Sequence, residues 1–389
     1  MGVLRYGTAA VLAGVVVVAH LALQKQFENN GLWSLDTILV HKNKTLPNTK
    51  IPLKLPSTGL AGLDSYFNFM LSFFWVSFDP RNVRAHLQGN HLLGTLSSIW
   101  IIQLLEAHGT TKAASAGIIF STYFLEIMGE LLGIGLFTPI WCIVHLLITS
   151  APSTKSDARV TKLSAPKSSL RALGYALLVG HVVPTVLMLQ LEADGEGVAS
   201  KQIWTIARLF HPIYLFVCLQ VFKTLFGGSS SAPATDAPQR LLATRRKLYQ
   251  FSILASGFFH VTSLAMLFAD KLFAGWLRED VLPGLHVGTM FIPAPFWTRT
   301  NMSFETAVAV FLQWDYTCSA GAIVIWAASQ WLEAVSVSKT DGTRIVETLG
   351  QSLLVALLAG PAAAAAFLLQ ERDTALAAGL LEGKGPKQQ

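Results

Sequence analysis

Long apolar runs separated by short polar stretches dominate the chain. About 20 apolar residues are needed to cross the hydrocarbon of a bilayer. Runs of that kind lie at 4–23, 61–80, 88–106, 114–149, 170–191, 203–226, 248–270, 304–333 and 346–370. The pattern predicts an all-α, polytopic transmembrane helical bundle of about 8–9 spans. It reads as a single domain over 1–389, with an N-terminal anchor at 1–23, a bundle core at 61–370 and a disordered tail at 371–389. No small-residue cleavage site follows the first run, whose next residues are His20 to Gln26, so it reads as a retained anchor. The run 114–149 is too long for one upright crossing and is interrupted by Gly133, Gly135 and Pro139. The expectation is one crossing helix that breaks and continues along the cytosolic interface. The connection 271–303 carries Pro283-Gly284 and Pro293-Ala294-Pro295 and is expected to fold back over the luminal mouth as a lid. Gly227 to Pro233 reads as a flexible linker.

Composition sharpens the class. The chain is 52% hydrophobic and 13% charged, where soluble domains carry about 25% charged residues. Cys142, Cys218 and Cys318 all lie in apolar runs without a Cys-x-x-Cys, which suggests neither a disulfide framework nor a zinc site. The net charge of +6 is spread over short loops, a pattern of membrane orientation rather than nucleic-acid binding. The basic loops are 150–169, 227–247, the Arg81/Arg84 turn and the Lys339/Arg344 turn. All four fall on the cytosolic side if 114–149 crosses once. The acidic loop 192–196 and the sequons Asn43-Lys44-Thr45 and Asn301-Met302-Ser303 then face the lumen, of the endoplasmic reticulum by expectation. On this topology Glu106 and Asp270 sit wet at luminal ends, while Asp79 and Arg81 serve a turn at a cytosolic end.

Three acids lie inside apolar runs: Glu126, Glu130 and Asp315. A charge at bilayer depth is expensive, so intramembrane acids mark functional sites by default. Glu126 and Asp315 each fall roughly 17 Å along their helices, near mid-membrane. Glu130 is one turn beyond Glu126 on the same face. If their helices face one cavity, a carboxyl that keeps its proton there can act as a general acid. The plainer role for each is a hydrogen bond to a neighbouring helix.

Aromatic residues crowd the same region: Phe67, Phe69, Phe73, Phe74, Trp75, Trp100, Trp314, Tyr316 and Trp326. At helical spacing most are packing residues, but ring faces lining a cavity stabilise carbocations. Asn90 and His91 begin a span and are placed at the cavity floor. His181 and His260, near mid-depth, are the residues a haem would need, although histidines that bond neighbouring helices are commoner. The chain has no Asp-Asp-x-x-Asp, Walker loop, Gly-x-Ser-x-Gly or His-Glu-x-x-His. Diphosphate ionisation through magnesium is therefore unsupported, and no metal or other cofactor is expected.

The strings Phe67-Asn-Phe-Met-Leu-Ser-Phe-Phe-Trp75, Leu87-Gln-Gly-Asn-His91 and Leu312-Gln-Trp-Asp-Tyr316 resemble fungal integral-membrane terpene cyclases of the ascochlorin and ascofuranone type. The resemblance spans about 60–370. After Trp75 the chain departs from the family pattern and reads Val76-Ser77-Phe78-Asp79-Pro80. It implies metal-independent cyclisation of the farnesyl-type chain of a meroterpenoid, begun by protonating a terminal epoxide, with Asp315 matching a family acid.

The combined expectation is a cyclase that protonates an epoxide or a terminal alkene of such a chain, with Asp315 or Glu126 as proton donor and Glu130, or the other of the pair, as final acceptor. Phe67, Phe74, Trp75, Trp100, Trp314, Tyr316, Asn90 and His91 would line the substrate site. The partners are a lipophilic prenylated small molecule and the lipid bilayer, with no nucleic acid. The rival is a proton-coupled transporter using the same acids, although no inverted repeat is visible.

Overall fold

The computed structural model describes residues 2–29, 45–47, 49–54, 57–109, 112–149, 167–190, 197–227, 237–273, 275, 285–298, 302–338 and 341–382. Asn43, Asn301, the acidic loop 192–196, residues 150–166 and 228–236, and the tail 383–389 lie outside the described residues. All regular structure among them is helical, apart from one isolated bridge between Thr45 and Pro52. The helices are α1 (Gly2–Asn29), α2 (Ala61–Phe78), α3 (Val83–His108), α4 (Lys112–Leu132), α5 (Ile134–Ile148), α6 (167–190), α7 (Gly197–Leu209) and α8 (His211–Gly227). They continue as α9 (Ala237–Leu272), α10 (Val287–Phe291), α11 (Phe304–Ser338), α12 (Gly342–Ala359) and α13 (Pro361–Glu382).

Four helical stretches are long and apolar enough to cross a membrane: Gly2–Asn29, Leu170–Leu189, Leu242–Ala269 and Phe304–Ser338. The pair α7 and α8, bent by 72°, makes a fifth if it is one broken span. Outward-facing Leu254, Phe258, Leu353 and Leu357 are each more than 60% exposed. So wide an apolar belt fits a lipid surround.

The run 88–106 is not a lipid-facing helix. It belongs to α3, the axis of the bundle, whose Gln88, His91, Thr95, Ser98, Gln103 and Glu106 are all buried. Such a helix is tolerated at membrane depth only when protein surrounds it and satisfies its polar groups. Here α9 runs antiparallel beside it. Arg245 pairs with Glu106 at 2.7 Å, Ser252 bonds Ser98, and His260 bonds His91. Packed against α11 and α9, α13 presents Ala362 to Ala366, all buried, small residues that let helix backbones approach closely.

Three expectations fail here. Glu106 is not wet: it is 2% exposed and held by Arg245, Arg372 and Tyr249. Nor does the chain cross once between 114 and 149. At Gly133, whose φ of +111° suits glycine, α4 turns back and α5 returns along it. Trp141 of α5 donates to Thr122 of α4 at 2.8 Å. The run is a helical hairpin entering and leaving from one end of the bundle. That end gathers Arg5, bonded to Glu333 and to the carbonyl oxygens of Leu146 and Thr149. It also holds Glu106, Arg245 and, on α13, Arg372 and Asp373. A disordered tail from 371 is likewise corrected, because α13 continues to Glu382 and buries Arg372 and Asp373.

At the opposite end the segment 285–298 folds back over α3 and α11. Gln88 and Gln313 donate to the carbonyl oxygens of Met290 and Thr289, and Trp314 donates to that of Ala294.

Candidate active site

Five helices meet where the hairpin turns. The tip of α4 and α5 inserts toward the middle of α11, and α2 and α3 close the space with aromatic and aliphatic side chains. The result is a cavity with about 760 Å³ between its walls, part of it open to the exterior. Phe69, Phe73 and Phe74 of α2, Leu92 of α3 and Phe311 of α11 supply much of the apolar lining. The aromatic walls brace one another: Phe73 and Phe311 meet edge to face at 5.2 Å, and Phe27 meets both Phe311 and Phe69. Two carboxylic acids, Asp315 and Glu130, and one guanidinium, Arg208, reach the same wall.

Asp315 is 4% exposed, and its Oδ1 accepts the backbone N–H of Gly135 at 2.6 Å. The acid thus caps the first turn of α5, where unpaired N–H groups and the helix dipole favour an oxygen acceptor. The contact depends on glycine. A Cβ at Gly135 would lie 2.9 Å from the Asp315 carbonyl oxygen and 3.0 Å from its Oδ1. With Oδ1 occupied as an acceptor, a proton on this carboxyl is carried by Oδ2.

Glu130 is 6% exposed and takes the opposite role. Its Oε2 pairs with Arg208 Nη1 at 2.9 Å, while Oε1 has no hydrogen-bond partner. Arg208 is itself fixed by Thr185, which accepts from Nε at 3.1 Å, and by the Trp100 ring 5.1 Å away. His211 Nδ1 stands 3.8 Å from Glu130 Oε1. A buried carboxylate keeps its charge only beside such a cation.

The third acid is apart. Glu126 is 5% exposed, and neither of its oxygens has a hydrogen-bond partner. It lies one turn before Glu130 and does not line the cavity.

Among the aromatic and polar residues anticipated for the substrate, Phe74 lines the cavity and the others stand elsewhere. Phe67 packs edge-on against Phe210. Trp75 faces a neighbouring cavity below Lys201. Trp100 is the platform under Arg208. Tyr316 lies 4.3 Å from His91, which bonds His260, and Asn90 bonds His86. Trp314 is tied to Ala294. The two histidines considered for haem have separate partners, Ser97 for His181 and His91 with the Leu357 carbonyl oxygen for His260.

Arg208 escaped the sequence reading. The rule that found the acids, a charge inside an apolar run, applies equally to it.

Just past α2, Asp79 accepts three hydrogen bonds from the Arg81 guanidinium. Partial burial pushes the Asp79 carboxyl up, but the Arg81 hydrogen bonds outweigh it and hold the group below its ordinary value. This pair closes the turn expected of it, with the Arg81 N–H donating to Asp79 Oδ1 at 3.0 Å, and lies at the end of the bundle opposite Arg5.

Comparison with known proteins places the chain in a family. The family model of the CtvD domain matches residues 8–377. Terpene cyclase ascI of Acremonium egyptiacum is 27% identical over 330 residues, 82% of this chain and 79% of that protein. Terpene cyclase ctvD of Aspergillus terreus is 23% identical over 334 residues, 86% of this chain and 89% of its own. Terpene cyclase janA of Penicillium janthinellum is 25% identical over 363 residues, 93% of each. No solved structure gives a significant match.

Proposed function

We propose, for a chain that belongs to the CtvD-domain family and is a terpene cyclase, that it closes the farnesyl-type chain of a meroterpenoid by proton transfer between two carboxyl groups. The observation that carries this reading is the pairing of unlike acids on one apolar wall, Asp315 without a cation and Glu130 with Arg208. Family membership decides for an enzyme over a proton-coupled transporter.

In this reading Asp315 is the general acid. Its Oδ2 proton passes to the epoxide oxygen, or to the terminal alkene, of a chain lying along Phe69, Phe73 and Phe311. The C–O bond opens to an alcohol and a tertiary cation, and the next double bond attacks that cation to close a ring. The ring faces of the lining aromatics stabilise each cation in turn. Glu130, held anionic by Arg208, removes the last proton through Oε1, the oxygen without a partner. Nothing is added or lost overall, so the product has the mass of the substrate. The acid and base must then exchange a proton before the next turnover, and Glu126 is the nearest further carboxyl on the hairpin.

The lipophilic substrate enters sideways from the bilayer, where a prenylated compound partitions. The cavity wall at Leu131 and Leu132 is the route, since Leu132 is 39% exposed. The protein is read as multi-pass in the endoplasmic reticulum membrane, crossing it by the five long apolar stretches, with the bent α7–α8 pair taken as one, and by the protein-enclosed α3.

The test is turnover in yeast microsomes given an epoxyfarnesyl phenol. Asp315→Asn and Glu130→Gln should each slow cyclisation by about a hundredfold or more, the usual contribution of a positioned acid or base. Undiminished product from both variants sinks the assignment.

A further inference from the structure

A second cavity adjoins the first. The two share Phe74, Phe78 and Met188 as a common wall, and Phe74 and Phe78 stand stacked in it at an interplanar angle of 3°. The space between the second cavity's walls is about 750 Å³ and opens partly to the exterior. Its chemistry differs from that of the first. Asp79, Arg81, Lys201 and Thr205 line it together with Trp75.

Charge is unbalanced there. Arg81 binds both oxygens of Asp79, so that carboxylate is already committed. Lys201 is half-buried, its Nζ lies 5.4 Å from the Trp75 ring centroid, and among the described residues no carboxylate is within ion-pairing distance of it. One positive charge is therefore left over beside an indole face, next door to an apolar chamber. A half-buried ammonium without a partner is a site for an anion.

We propose that this second cavity holds the aromatic head of the substrate, and that the head carries an acidic oxygen, a carboxylate or a phenolate, bound by Lys201. The inference rests on the terpene-cyclase reading of the first cavity, because the stacked Phe74 and Phe78 form the sill over which an isoprenoid tail would pass. Lys201 supplies a charge-assisted hydrogen bond, while Trp75 and the Phe74–Phe78 stack supply ring faces to the head.

The experiment uses the purified full chain in phospholipid nanodiscs and two probes that cannot cyclise. One is a saturated farnesyl-type phenol bearing a ring carboxylate, the other its methyl ester. The wild type should bind the acid more tightly than the ester. Lys201→Met should weaken the acid about tenfold and leave the ester within about twofold. Lys201→Arg should keep the preference and also shows that the site tolerates substitution. Equal weakening of both probes, or no weakening of either, overturns the inference. The same preparations are then given the epoxidised acid. Lys201-dependent binding without cyclisation by the wild type sinks the proton-transfer reading and leaves the head site standing. Cyclisation with no discrimination between acid and ester does the reverse.

Discussion

Asp315 and Glu130 differ by one methylene, and their neighbours separate their roles. A backbone N–H satisfies one oxygen of Asp315 and brings no full charge, whereas Glu130 sits against a guanidinium that is itself clamped by Thr185 and Trp100. Removing one member of a buried ion pair strands the other and destabilises by roughly 3–5 kcal/mol, while replacing both by apolar groups is close to neutral. Arg208→Met is therefore expected to lose both thermal stability and cyclisation. The double variant Arg208→Met/Glu130→Met should recover stability, read as the melting temperature by fluorescence-detected size exclusion, and stay inactive. Stability that does not return would make Arg208 a packing residue. Asp79 gives a pH expectation of opposite simplicity. Its folded value is below the ordinary one, so its pairing with Arg81 contributes fully above the ordinary Asp range of about 4 and is lost only as pH falls through the lower folded value. Acid-probe binding should then show no step from Asp79 between pH 5 and pH 8. A step in that window that disappears in Asp79→Asn would refute the assignment.

The α4–α5 hairpin is the element on which the site turns, and it shows what a sequence makes legible. Gly133, Gly135 and Pro139 announce a break within 114–149, since glycine and proline in a helical run are punctuation. The direction taken after the break is written elsewhere, in Asp315, whose carboxyl meets the N-terminus of α5 from a helix 180 positions further along the chain. Periodicity carries no information about such a partner, so an interfacial continuation and a returning hairpin look alike from within the run. The three acids were legible because charge in an apolar run is costly wherever the run goes. Which aromatic residues face the cavity was not, because Phe74 and Trp75 are adjacent on α2 and only Phe74 reaches it, Trp75 lining the second cavity alone. Gly135→Ala tests the hairpin as an element. Alanine raises helix propensity by about 1 kcal/mol, yet its Cβ would press on Asp315 at 2.9–3.0 Å. Activity should fall sharply, with stability changed little. Gly117→Ala on α4, where a Cβ meets nothing within 4 Å, should be active and slightly more stable. Equal activity of the two variants would show that the close approach of Gly135 to Asp315 has no catalytic consequence.

At the scale of the whole molecule the hairpin changes the topology, and the change is measurable. With α4 and α5 entering and leaving from one end, that end collects Arg5, Arg245 and Arg344. By the positive-inside rule this end is expected to face the cytosol. Arg81 and Arg84 fall at the other end, but Arg81 is bound by Asp79 and Arg84 donates to Gln313 at 3.0 Å, so both serve the protein rather than orientation. The luminal end then holds the start of α11, where Ser303 receives the N–H of Thr306, and Thr45 beside Pro52, whose carbonyl oxygen accepts from Gln202 of α7. Ser303 and Thr45 are the third residues of the two sequons. Both Asn43 and Asn301 are therefore expected to carry glycan when the chain is expressed in a eukaryotic host, each lost in its Asn→Gln variant and on endoglycosidase treatment. A new acceptor sequon placed in 228–236 should stay bare, and so should one placed in 151–166. The second insertion discriminates. A single upright crossing through 114–149 that begins at the end shared by Glu106 and Arg245 would carry 151–166 to the opposite side from 228–236. Glycan on the insertion in 151–166 and none on that in 228–236 would therefore separate Asp315 from the turn of α5 and dismantle the cavity with it.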